Sequence, residues 1–190
     1  MHKGLYPHDK ILAKILLPII PLWVTPNSVT IVRFILTPFV ILLLLWGYNV
    51  AAMYLFLFTA FTDALDGTIA RVRDKITPWG TVYDPVADKL LIGSCLLFLT
   101  LQYLPWYITG LIVLLEVIFL TGGFIKKKEG IIMSPSWWGK SKMITQVVGV
   151  GVLMLGVVLQ SAFFIELSWY IFILAIVLAV INIVRYGIQL

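Results

Sequence analysis

Six apolar runs, each near the roughly 20 residues that a helix needs to cross a bilayer, fill most of this 190-residue chain. They cover about Val29–Trp46, Val50–Ile69, Val86–Leu104, Trp106–Ile125, Met143–Phe164 and Leu167–Val184. Only short loops remain between them, which leaves no room for a soluble domain. A hydrophobic share of 61% also lies well above that of an ordinary soluble domain. The expected fold is all-α: one polytopic membrane domain over 1–190, with six transmembrane helices bundled within 26–190.

Charge placement sets the expected orientation. With six spans and both ends on one side, all 14 Lys and Arg residues fall on that side. Lys3, Lys10 and Lys14 precede the first span, and Arg33 lies near its start. Arg71, Arg73, Lys75 and Lys89 lie between the second and third spans or at their ends. Lys126, Lys127, Lys128, Lys140 and Lys142 separate the fourth and fifth, and Arg185 closes the sixth. The opposite loops, near Gly47–Asn49, Gln102–Pro105 and Ser161–Ser168, carry no basic residue. The positive-inside rule makes the basic side cytoplasmic. The net charge of +5 therefore reads as topology and contact with anionic lipid, and not as nucleic-acid binding.

The opening MHKGLYPHDK lacks the apolar core and cleavage site of a signal peptide. Residues Ile11–Val24 are apolar but broken by Pro18 and Pro21. The segment 1–25 is expected to carry an interfacial amphipathic helix lying on the membrane, rather than a seventh span. Cys95 is the lone cysteine, which excludes an internal disulfide and reads as a small core residue. Trp and Tyr cluster near the span ends, as in an interfacial belt, and His2 and His8 belong with the interface. Lys126–Lys128 with Glu129 reads as a solvated loop or a lipid-headgroup anchor.

Four aspartates break the apolar pattern: Asp63, Asp66, Asp84 and Asp88. A carboxylate near the hydrocarbon centre costs about 2.5–3.5 kcal/mol even on forgiving scales, so four of them demand compensation. Hard oxygen donors point to magnesium, manganese or calcium. At 100° per residue, Asp63, Asp66, Gly67, Ala70 and Arg71 share one helical face. Gly67 and Ala70 admit close approach to the backbone, and Arg71 suits bidentate contact with phosphate. Asp84 and Asp88, four apart, share a face at the start of the third span. Asp63 falls roughly 10 Å short of the cytoplasmic edge and Asp88 roughly 6 Å inside it at 1.5 Å per residue. All four acids can therefore meet at one level, with Thr77-Pro78-Trp79-Gly80 expected to supply the turn between their helices. Such a set could hold two divalent ions about 3.5–4 Å apart, clamping a phosphoryl group and its leaving oxygen. The alternative is a buried Asp–Arg network without catalysis, which leaves Gly67 and Ala70 unexplained.

These residues match D-x2-D-G-x2-A-R-x8-G-x3-D-x3-D at every specified position, from Asp63 to Asp88. The chain thereby resembles the CDP-alcohol phosphotransferases. The resemblance runs through the six spans, the interfacial segment and Pro26-Asn27-Ser28-Val29-Thr30 at the first span. It implies a Mg²⁺- or Mn²⁺-dependent reaction, with two ions per site. An alcohol attacks the β-phosphorus of a CDP-linked lipid, releasing CMP and forming a phosphodiester. By position, Asp63, Asp66, Asp84 and Asp88 resemble the metal ligands, and Asp88 also resembles the general base. Asn27, Ser28, Gly67, Ala70, Arg71 and Thr77 resemble contacts to the CDP-lipid. The family also implies a homodimer in the cell (inner) membrane.

Thr30-x-x-Arg33 with Pro38, and Trp138-Gly139-Lys140-Ser141-Lys142 with Gln146, are similar to the phosphatidylglycerophosphate synthases. That similarity makes CDP-diacylglycerol the donor and glycerol 3-phosphate the expected acceptor, with Glu116, Lys140 and Lys142 as acceptor-binding candidates. Lys140 and Lys142 are two apart and point to different helical faces, and Lys142 shares its face with Gln146. Where those synthases often carry Arg-Glu in the fourth span, this chain has Leu115-Glu116. Glu116 is an acid well inside a span; its alternative is a structural hydrogen bond. Phosphatidylglycerol, as in a cardiolipin synthase, and inositol phosphate are the alternative acceptors. Outside the family stand a Mg²⁺-dependent membrane prenyltransferase, which would need a second aspartate-rich motif, and a transporter, whose acids would be spread across the bilayer depth.

Overall fold

Thr25 stands in extended backbone, and its hydroxyl accepts a hydrogen bond from the Ser28 amide at 3.3 Å, capping the first helix. Pro26 follows at the first helical position, where its fixed φ suits the helix and its missing N–H costs nothing. The computed structural model describes the backbone of residues 25–72, 78–128 and 136–186. The side chains at 26, 63–72, 78–82, 85, 123–124, 126–128 and 186 lie outside that description. The expected interfacial helix within 1–25 likewise falls almost wholly outside the described residues.

Among the described residues the chain forms six α-helices: α1 (Pro26–Leu45), α2 (Asn49–Val72), α3 (Pro78–Tyr103), α4 (Trp106–Lys128), α5 (Trp137–Val158) and α6 (Ala162–Tyr186). Four of them contain stretches long and apolar enough to cross a membrane: Asn27–Leu45, Val86–Tyr103, Trp137–Val158 and Ala162–Arg185. The described apolar stretches of α2 and α4 are shorter, Asn49–Thr62 and Trp106–Gly122.

Two details differ from the sequence reading. Pro78, Trp79 and Gly80 lie in the first turn of α3 and do not form a turn between helices. Proline at the start of a helix loses no intrahelical bond, so the helix begins earlier than the motif suggests. The apolar run Met143–Phe164 crosses a helix boundary, because α5 ends at Val158 and α6 starts at Ala162. There the chain reverses in a tight turn with Gln160 at φ 49°, a few residues before the break expected between Phe164 and Leu167. As the unbroken run Val29–Trp46 implies, α1 continues through Pro38, a residue that membrane helices tolerate when neighbouring groups re-satisfy the freed carbonyl.

Contacts divide the chain into two compact units between Ser94 and Cys95. In the first, α1 packs against α2, burying Val40 and Leu44 of one and Ala52 and Phe56 of the other. The turn joining them uses Gly47 at φ +77°, a left-handed conformation that a side chain disfavours. In the second unit α6 packs against α5 and α4. Gly149 and Gly156 of α5 permit the approach. A Cβ on Gly149 would sit 2.8 Å from the Phe172 ring, and one on Gly156 would sit 2.9 Å from the Ile165 backbone nitrogen. Small residues at such contacts are the usual device where lipid removes the hydrophobic drive for helix pairing.

Large apolar side chains face outward on every helix, among them Ile35, Tyr54, Leu90, Leu114, Ile144 and Val184. The buried set includes Thr30, Arg33, Thr59, Thr100, Lys142, Gln146 and Asn182. Several buried hydroxyls are satisfied by their own helix, as Thr37 is by the Arg33 carbonyl at 2.8 Å and Thr100 by that of Leu96 at 2.8 Å. Apolar outside and hydrogen-bonded polar inside is the pattern of a protein whose solvent is lipid. Trp46, Trp106 and Trp137, the most exposed of the described tryptophans, all stand at helix ends, in keeping with an interfacial belt.

Candidate functional site

Asp84 and Asp88 lie one turn apart on α3 and are both half-buried. Each receives a hydrogen bond from α1. The Thr30 hydroxyl donates to Asp84 Oδ1 at 2.5 Å, and the Arg33 guanidinium forms an ion pair with Asp88 Oδ1. Thr30 and Arg33 are three apart, so they rise along one face of α1 as the acids rise along one face of α3. Both donors are fully buried. Removing a guanidinium from water inside an apolar helix is costly unless it is paired, and Asp88 is the pairing.

The sequence reading placed Arg33 in Thr30-x-x-Arg33 and among the charges that set orientation, and not beside the acids. The available signal was the spacing of Thr30 and Arg33, which nearly copies that of Asp84 and Asp88. Asp63, Asp66, Gly67, Ala70 and Arg71 lie on the C-terminal half of α2, which is continuous there, so their placement on one helical stripe holds for the backbone. Their side chains, and Thr77 entirely, lie outside the described residues. Asn27 and Ser28 occupy the first turn of α1, where the Ser28 hydroxyl lies 2.8 Å from that of Thr25.

In the second unit, α4 and α5 bring three polar side chains together. Lys142 Nζ donates to Glu116 Oε1 at 2.5 Å, and Gln146 Nε2 donates to the same oxygen at 2.9 Å. Lys142 also lies over the Phe119 ring, 4.4 Å from its centroid, a geometry in which the ring face attracts the ammonium. The basic partner of Glu116 comes from α5. Lys140 is exposed and stands apart from this group. The start of α5 is tied to α6, since Ser136 donates to Asn182 Oδ1 at 2.6 Å while accepting from the Gly139 amide at 3.0 Å. Arg185 lies 5.5 Å from the Trp138 ring.

Comparison with known proteins turns this arrangement into an assignment. Residues 23–181 match the family described as CDP-alcohol phosphatidyltransferase. The chain belongs to that family. It is 35% identical over 136 residues to a probable phosphatidylglycerophosphate synthase of Mycobacterium tuberculosis, covering 68% of this chain and 65% of that one. It is 43% identical over 81 residues to a CDP-diacylglycerol–glycerol-3-phosphate 3-phosphatidyltransferase of Pseudomonas fluorescens, covering 41% and 42% of the two chains. A probable CMP-forming cardiolipin synthase of Drosophila melanogaster is 37% identical over 102 residues, covering 53% and 32%. The chain thus spans less than two thirds of the length of each of these three relatives.

Members of the family generally use divalent metal ions. The described part of the acid cluster fits such an ion. Asp84 and Asp88 offer the hard oxygens that Mg²⁺ and Mn²⁺ prefer. Each is steadied by a neighbouring donor, as ligating carboxylates usually are. Among the described residues no third acid, histidine or cysteine joins these two.

Proposed function

We propose that this protein transfers a phosphatidyl group from CDP-diacylglycerol to an alcohol and releases CMP, with glycerol 3-phosphate as the acceptor. The observation that carries the reading is the pair Asp84 and Asp88, presented on one face of α3 and each held by a donor from α1. It is supported by the family assignment and by relatives named for that reaction.

In this reading Asp63, Asp66, Asp84 and Asp88 hold two Mg²⁺ or Mn²⁺ ions. When bound, the ions supply Lewis-acid polarisation of the phosphoryl oxygens and stabilise the leaving CMP. Asp88 accepts the proton of the acceptor hydroxyl as it attacks the β-phosphorus. Arg71 binds phosphate oxygens through its planar fork. Gly67 and Ala70 leave room for the nucleotide, with Asn27, Ser28 and Thr77 as further contacts to the CDP-lipid. Lys140, Lys142 and Glu116 serve the acceptor. Lys142 is already committed to Glu116, so the exposed Lys140 is the readier cation for an acceptor phosphate.

The chain is read as one membrane domain over 1–190, with six spans, an interfacial helix within 1–25 and a cytoplasm-facing site in the cell membrane. The functional unit is a homodimer. Phosphatidylglycerol is the alternative acceptor, favoured by the similarity to a cardiolipin synthase; inositol phosphate is a further one.

The test is CMP release by purified protein in detergent with CDP-diacylglycerol and Mg²⁺. Glycerol 3-phosphate, phosphatidylglycerol, inositol 1-phosphate, inositol and serine are offered in turn. Metal-dependent release with glycerol 3-phosphate alone is the expected result. Release with phosphatidylglycerol alone replaces the acceptor, and no release with any acceptor, from protein that also fails to bind CDP-lipid, overturns the reading.

A further inference from the structure

Thr30 and Arg33 answer two acids with two donors, and nothing in the apolar face of α1 requires either. Their neighbours Ile31, Val32 and Ile35 are exposed, as a lipid-facing surface would be. The donors are wholly buried and each ends on a different acid of α3. Simple helix packing would be served as well by two aliphatic side chains, without the desolvation of a guanidinium. A hydroxyl and a guanidinium differ in reach, and that difference offsets the unequal spacing of three residues on α1 against four on α3. Thr30 serves the acid nearer the start of α3, and Arg33 serves the acid one turn further on.

We propose that Thr30 and Arg33 are positioning residues, a two-point clamp on α1 that sets the orientation of Asp84 and Asp88 before metal or substrate binds. The proposal rests on the phosphatidyl-transfer reading above and deepens it by adding residues that act through the carboxylates. A carboxylate on a free rotor loses side-chain entropy when it must point at an ion. One whose oxygen is already held by a neighbour has lost that freedom on folding. Neighbouring donors of this kind typically contribute about 10–100-fold to metal affinity or activity. The clamp also makes α1 part of the catalytic apparatus, so displacing α1 displaces both acids together.

The experiment compares wild type, Thr30→Val, Thr30→Ser and Arg33→Gln, purified in detergent. Mn²⁺ binding is followed by electron paramagnetic resonance and CMP release by steady-state kinetics. Thr30→Val keeps the shape of threonine and removes the hydroxyl, whereas Thr30→Ser keeps it. Thr30→Val is expected to weaken Mn²⁺ binding about 10-fold and lower kcat about 10-fold, with KM for CDP-diacylglycerol within about 2-fold of wild type. Thr30→Ser is expected to restore both, and Arg33→Gln to show the larger loss of the two donor deletions. Wild-type Mn²⁺ affinity and kcat in Thr30→Val overturn the proposal, whether or not Arg33→Gln folds. Equal losses in Thr30→Val and Thr30→Ser overturn it too, because they trace the effect to packing. A wild-type protein that neither binds Mn²⁺ nor releases CMP overturns the phosphatidyl-transfer reading itself, an outcome distinct from either of those.

Discussion

Lys142 of α5 and Glu116 of α4 form an ion pair at 2.5 Å, and Gln146, one turn beyond Lys142, donates to the same carboxylate oxygen. The acid therefore spends one oxygen on two donors. Its side chain is 28% exposed and that of Lys142 is 10% exposed. At that degree of burial, the loss of one partner matters more than the net worth of the pair.

Lys142→Met is expected to destabilise the protein by about 3 kcal/mol, since it leaves a half-buried carboxylate with Gln146 alone. In the double variant Glu116→Gln/Lys142→Met, the new amide still accepts from Gln146 and no charge is left over. Its thermal midpoint in detergent should return most of the way to wild type. A double variant as unstable as the single one would show that the ion pair is not the source of the loss.

Asp88→Asn tests the proposed base. Turnover should fall by about 10²–10⁴-fold, while binding of CDP-diacylglycerol stays measurable. The Asn oxygen can still accept from Arg33, but the buried guanidinium loses the negative charge of Asp88. A lowered thermal midpoint should therefore accompany the loss of activity. CMP release near the wild-type rate from folded Asp88→Asn would remove Asp88 from that role.

Gly67→Leu tests the small-residue stripe of α2. A branched side chain beside Asp66 should obstruct the nucleotide and raise the apparent dissociation constant for CDP-diacylglycerol by at least about 10-fold, a loss of about 1.4 kcal/mol. Binding by the folded variant at wild-type strength would show that this face does not line the nucleotide site.

Gly156→Ala and Gly151→Ala form a controlled pair on α5. A methyl at 156 would meet the Ile165 backbone nitrogen at 2.9 Å, and backbone cannot swing aside. The helices must part, at a cost of about 1–3 kcal/mol typical of overpacking. A methyl at 151 meets nothing within 4 Å, so its thermal midpoint should hold. Equal midpoints for the two variants would contradict the close α5–α6 contact.

Local spacing was enough for much of the architecture. Apolar length placed α1, α2, α4 and the turns at Gly47 and near Pro105 within a few residues, because a lipid-facing helix must be apolar along most of its length. The break between α5 and α6 was expected between Phe164 and Leu167 and falls at 159–161, because two polar residues between two apolar helices are too weak a signal to fix its position. Asp84 and Asp88 were legible as a pair because 3.6-residue periodicity is a property of each helix alone. Asp84 and Asp88 sharing a face needed no knowledge of what stood opposite.

What stood opposite depended on packing. Arg33 was read as a cytoplasmic-side charge within Thr30-x-x-Arg33 and Lys142 as a candidate for the acceptor, and neither as the partner of an acid. Their partners lie 55 residues away for Arg33 and 26 away for Lys142. A pairing of that kind is set by which helices meet and in what register, and no single-helix period carries it. Chain spacing placed the carboxylates on their helical faces, since that is backbone geometry. The donors that hold Asp84, Asp88 and Glu116 emerged only when the helices packed, since burying a charge in an apolar bundle is tolerable only where a partner from another helix meets it.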